Sequence, residues 1–176
     1  MSFSRETLVA ELRRRGITFL APSDARSTRN LSDGELIRAI LEQSDSRLHL
    51  ALMTLFLHRP NSAQEVIALV NYVDPLQALT LQTLYTAAVY LQRLWQTRLR
   101  LHLGPFSLLP DLFSSQLNLP SPDERFGKVG LHILAEDWSA RSTIPFNRLA
   151  SINKFVELYF ESLKLENLSY ESTTIS

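Results

Sequence analysis

Apolar residues recur along this chain at spacings of three and four, the period of helices with one face turned inward, and strict alternation is absent. In the first segment Leu8, Val9 and Leu12 share one face between Ser4, a capping residue, and Gly16, which stands where a chain leaves a helix; the pattern predicts a helix from Arg5 to Arg15. Ile17, Thr18, Phe19 and Leu20 then run apolar toward Pro22. No second β-branched run is available to pair with them, so they read as an extended segment laid on helices, followed by a polar loop from Pro22 to Asn30. Ser32 with Glu35 forms a capping-box pattern, and Leu31 with Leu36 a hydrophobic staple, opening a helix through Ile37, Ile40 and Leu41. A third helix is predicted from Arg47 through Leu48, Leu52, Leu55 and Phe56 to His58, where Pro60 bars continuation. Ser62 with Glu65 repeats the box ahead of Val66, Ile67, Leu69 and Val70.

The strongest start signal is Asp74, Pro75 and Gln77: an acidic N-cap, a proline at the first helical position and an amide two residues on. From Pro75 to Leu103 no proline, glycine or acid interrupts the chain. Read as one helix, this stretch would be a rod of about 43 Å, against a radius of gyration of about 16 Å for a domain of this length. Its apolar residues form two adjoining stripes, one through Leu81, Leu84, Ala88, Leu91, Trp95 and Leu99, the other through Leu76, Leu79, Ala87, Tyr90, Leu94 and Leu101. A helix apolar over so wide an arc must be covered on several sides, which makes it the spine of the domain.

Beyond Gly104 and Pro105 the pattern predicts a short helix over Asp111 to Leu117. A further helix opens at Ser121 and Pro122 and runs through Phe126, Val129, Ile133 and Leu134, and a last one runs from Phe146 to Leu165. Gly127 and Gly130 cost the middle one about 1 kcal/mol each relative to alanine, unless another backbone approaches closely there. Composition agrees with this reading: leucine occurs 33 times against 15 for valine and isoleucine together. The expected architecture is an all-α, single-domain bundle of six to eight helices around the long central one. Its parts are an N-terminal helical portion (1–73), the long helix (74–104), C-terminal helices (105–165) and a polar, fraying tail (166–176).

Charge and composition narrow the chemistry. Eighteen basic and 18 acidic side chains leave no net charge, and the absence of cysteine removes disulfides and thiolate chemistry. The acid-bearing N-terminal segment has no apolar leader core and no apolar run is long enough to span a bilayer, so a cytoplasmic chain without membrane contact is expected. Phosphate-binding loop, dinucleotide and nucleophile-elbow motifs do not occur, nothing identifies a reaction, and no cofactor or metal is implied. His132 and Glu136 have the i, i+4 spacing of two metal ligands, but surface pairs at that spacing are ordinary helix contacts.

Two surfaces stand out instead. The long helix bears Arg93, Arg98 and Arg100 and no acid; with Trp95 and Tyr90 beside them, these arginines form a candidate nucleic-acid face, although cations near a helix C-terminus are also stabilised by its dipole. The same dipole accounts for Arg13, Arg14 and Arg15. The second surface is the apolar excess of the following segment, with Phe106, Leu109, Leu112 and Phe113 as a candidate partner surface. Arg125 and His132 resemble the R-x4-6-H pattern of HEPN-type ribonucleases. That resemblance would imply RNA cleavage at a dimer cleft, but in a chain so rich in arginine about one such match arises by chance. The reading favoured by the whole is a non-catalytic intracellular adaptor or regulatory subunit with a protein partner or self-association, and the alternative is an RNA- or DNA-associated protein.

Overall fold

Asp74 starts the helix on which the rest of the molecule is assembled. Its carboxylate accepts hydrogen bonds from the Leu76 and Gln77 amides at 3.0 and 2.9 Å, and Pro75 occupies the first helical position. The structure, a computed structural model, describes residues 2–20, 29–142 and 147–174. Most of the polar loop from Pro22 to Asn30 and the expected last-helix start at Phe146 lie outside the described residues. Eight α-helices follow in order: α1 (Arg5–Arg14), α2 (Asp33–Leu41), α3 (Ser46–His58), α4 (Ala63–Val70), α5 (Pro75–Leu94), α6 (Gln96–Leu103), α7 (Lys128–Arg141) and α8 (Arg148–Thr174). Two short 3-10 turns precede α4 and α7, and the described residues contain no strand. The fold is an all-helical bundle in one compact domain.

The capping signals explain most helix starts. Ser4 accepts from the Thr7 amide, Ser32 and Glu35 form the reciprocal box, and Asp45 accepts from Arg47 and Leu48. At α4 the box does not form: the Ser62 hydroxyl donates to the Arg59 carbonyl at 2.8 Å, because Pro60–Ser62 is already a 3-10 turn that runs into the helix. Leu31 and Leu36 are both buried, as the staple requires. Gly16 follows α1 at φ +93°, and the extended segment beyond it sinks Ile17 and Leu20 into the core, with Phe19 edge-on to Phe155 of α8.

α5 is buried on every side from Leu81 to Gln92 and touches α2, α3, α4 and α7, while α3 packs on α5 and α8. Fully buried side chains such as Leu81, Leu84 and Leu91 contribute about 1.5–3 kcal/mol each to folding. The expected single rod from Pro75 to Leu103 is corrected at Trp95, whose φ of −109° and ψ of 20° end α5 and start α6. A straight rod would have carried its last turns out past the core. The bend lays α6 against α8, burying Leu99 and setting Trp95 edge-on to Phe160.

Arg15 is more than a dipole partner. Its side chain is 6% exposed, meets the fully buried Glu11 and the partly buried Asp33 at 2.7 Å each, and donates to the Leu31 carbonyl, tying α1 to the start of α2. Such a buried cluster holds its carboxylate only while the cation is present.

The segment from Gly104 to Asp123 returns along α5 as a strap without regular structure. Three α5 side chains grip its backbone: Gln92 Oε1 accepts from the Leu109 amide at 2.6 Å, and the Tyr85 and Tyr90 hydroxyls donate to the carbonyls of Pro110 and Pro120 at 2.9 and 2.7 Å. The helix expected over Asp111–Leu117 is a single turn. Asp111 caps it through the Ser114 amide, and Asn118 at φ +55° closes it as the Leu119 amide reaches back to the Ser114 carbonyl. α8 runs on to Thr174, past the expected end at Leu165; beyond Leu163 its surface is largely exposed.

Candidate functional site

The break at Trp95 distributes the three candidate nucleic-acid-binding arginines over two helices. Arg93 on α5 is 12% exposed, donates to Gln92 Oε1 at 3.1 Å and has its Nε 3.8 Å from Asp123. Arg98 on α6 makes a bidentate pair with Glu157 of α8, at 3.0 and 3.3 Å, and stacks its cation 4.1 Å from the centre of the Phe160 ring. Arg100 is exposed and lies 5.9 Å from the Phe106 ring centre; of the three it alone has no carboxylate neighbour among the described residues.

The expected partner surface on the strap is corrected. Leu109 and Phe113 belong to the core at 0% and 7% exposure, and Phe106 and Leu112 are half-buried against it. The backbone grip from α5 turns these side chains inward, with Phe113 edge-on to Tyr85 at 5.8 Å.

Arg125 and His132 do not share a helix. Arg125, Phe126 and Gly127 are three consecutive left-handed residues, at φ 46°, 57° and 80°, and α7 begins only at Lys128. Left-handed backbone costs a non-glycine residue about 1–2 kcal/mol, so this turn persists because its surroundings hold it. The hold is visible at Gly127, where a Cβ would stand 2.6 Å from the Tyr90 carbonyl oxygen, and at Gly130, where it would stand 2.3 Å from the Tyr90 ring. The glycines expected to weaken one long helix are thus the places where α5 and α7 come into contact. Phe126 is left 76% exposed.

The turn delivers Arg125 to the mouth of a groove of about 890 Å³ between the end of α5, α7 and α8. Leu131 and Val156 are buried in its floor, and Leu94, Trp95, Val129, Ile133 and Leu149 form half-buried walls. Exposed polar residues rim it: Arg125, Lys128, His132, Asn153 and Glu157. Glu157 is already neutralised by Arg98, and His132 contacts Glu136 at 3.1 Å. Arg125 and Lys128 have no ion-pair partner among the described residues, so the rim is electropositive. No group of three or more histidine, aspartate and glutamate side chains converges to hold a metal among the described residues. Nor is any described helix long and apolar enough to cross a membrane.

No protein-family model matches the chain, and neither the curated proteins nor the solved structures include a match to it. The geometry alone therefore carries the functional reading. Along the sequence, Arg125 and His132 stand far from Trp95 and from the α8 residues that complete the groove. The available signal was the Gly127 and Gly130 pair, which marks the close approach that brings these elements together.

Proposed function

We propose that the chain is a cytoplasmic, non-catalytic interaction protein, an adaptor or regulatory subunit, that holds an acidic amphipathic helix of a protein partner in the groove between α7 and α8. The observation that carries this reading is the combination of an apolar floor with two uncompensated cations, Arg125 and Lys128, at the rim. A helix docks by setting side chains at i, i+3, i+4 and i+7 into an apolar trough, and a carboxylate flanking that stripe is where such a rim adds selectivity and a faster encounter. The Arg125–Gly127 turn, held against Tyr90, fixes the backbone that carries one of those cations at the rim.

The test is titration of the protein against a labelled acidic amphipathic helical peptide, its charge-reversed counterpart and a single-stranded RNA oligonucleotide. The acidic peptide is expected to bind, with affinity falling about tenfold or more for Ile133→Glu, which fills the trough with charge, and for the double variant Arg125→Glu, Lys128→Glu. Indifference to Ile133→Glu would remove the groove from the reading. RNA binding that weakens steeply with salt and is lost in Arg100→Ala would move the function to nucleic acid, and RNA cleavage abolished by His132→Ala would make the protein an enzyme.

A further inference from the structure

α8 is 27 residues long, about 40 Å, and only part of it serves the bundle. Its inward face of Ile152, Phe155, Val156, Tyr159 and Leu163 is buried, but past Leu163 the helix continues with Leu165 at 67% exposure, Leu168 at 51% and Tyr170 at 76%. Glu161 and Glu171 flank these residues, both exposed and without an ion-pair partner among the described residues. Lys164 is the only basic residue from Phe155 to Thr174. An exposed helix with leucines and unpaired carboxylates is the chemical complement of the groove, whose floor is apolar and whose rim carries Arg125 and Lys128.

We infer that the groove's occupant is the distal end of α8 from a second copy of this chain. The inference rests on the groove being a helix-binding site. Asn153, Glu157, Glu161, Lys164, Leu168 and Glu171 are all exposed and recur at spacings of three and four, so they form one continuous stripe along α8. The stripe begins at the groove wall, where Asn153 and Glu157 stand, and ends on the projecting segment. Two α8 helices laid antiparallel along this stripe bring each distal end to the other copy's groove. Leu168 comes opposite Asn153, Lys164 opposite Glu157, and the Glu161 side chains of the two copies meet near the twofold axis, toward the rim that each Lys128 begins. Both grooves are filled by one twofold operation, which closes the assembly as a dimer.

Sedimentation across a wide concentration range, with charge-reversed pairs, tests this. The wild-type chain is expected to reach twice its 20.1 kDa mass. A groove variant (Arg125→Glu, Lys128→Glu) and an arm variant (Glu161→Lys) are each expected to stay monomeric while keeping the wild-type helical content and, at concentrations below the dimer range, the wild-type unfolding midpoint, since all three positions are exposed. Mixed one to one, they are expected to form a heterodimer, because each reversed groove then meets a reversed arm and each native groove a native arm. A wild-type chain monomeric at every concentration overturns the inference; if the acidic peptide still binds, the groove reading survives it, and if the peptide fails as well, both fall. A dimer that persists in either variant places the interface elsewhere and overturns the inference too.

Discussion

At Tyr90 the backbone and ring of one residue set the spacing between two helices. Gly130 lies inside α7, where helix propensity alone would favour alanine by about 1 kcal/mol. The added Cβ would instead stand 2.3 Å from the ring atoms of a tyrosine that is fully buried and fixed by its bond to Pro120. Overpacking of this kind costs about 1–3 kcal/mol, so Gly130→Ala is expected to lower the unfolding midpoint. An unchanged or raised midpoint would show that the ring can move aside. His58 gives a second expectation at this scale. Its Nδ1 lies 2.8 Å from the Tyr159 hydroxyl, and burial followed by the charge of Arg59 pulls its pKa below the ordinary 6.5; burial also lowers that of His49. The unfolded chain therefore binds more protons near and below pH 6.5. Stability is fully present above that value and is lost as the pH falls through it. Denaturant midpoints measured between pH 7.5 and 5.5 are expected to drop, and His58→Gln to flatten the slope, leaving the part that belongs to His49.

Between elements, the strap depends on one amide. Gln92 is fully buried, and its Oε1 takes the Leu109 amide and an Arg93 N–H while its Nε2 points to the Ser107 carbonyl at 3.5 Å. Gln92→Leu would preserve the bulk but leave the Leu109 N–H buried without an acceptor, at a cost of about 1–3 kcal/mol. The expected result is a lower urea midpoint together with faster proteolytic cutting between residues 104 and 123; intact resistance there would show that Tyr85 and Tyr90 hold the strap unaided. Gln92 also marks where sequence patterning stops being informative. Helix starts at Ser4, Ser32 and Asp74 were legible because a cap is a local interaction between residues two or three apart. The break at Trp95, the strap and the left-handed turn at Arg125 were not, because each is imposed by partners distant in sequence: Phe160 for the first, α5 for the second, Tyr90 for the third.

For the molecule as a whole, leucine-rich composition and helical spacing sufficed to give an all-α bundle built on one central helix, since burial of a wide apolar arc has few other solutions. The groove required three segments to meet, and no local pattern reports that. α8 joins the two scales, as its first half closes the core and its second half leaves it. Past Leu163 its contacts to the body are sparse: Thr18 to Glu166 at 3.5 Å and His102 to Asn167 at 3.1 Å. Ser169, Ser172, Thr173 and Thr174 turn their hydroxyls back onto carbonyls four residues earlier, which ties the helix to itself and not to the bundle. So short a helical end without tertiary support is marginal in water. Amide hydrogen exchange is therefore expected to split α8 at about Leu163, with Phe155–Leu163 protected to near the global unfolding free energy and Glu166–Thr174 exchanging far faster in dilute solution. The same amides should gain protection as concentration rises if a second copy covers them, whereas the arm and groove variants should show the dilute pattern throughout. Uniform protection of α8 at every concentration would mean that the distal end is supported within its own chain, and its leucines would then no longer be available for a partner's groove.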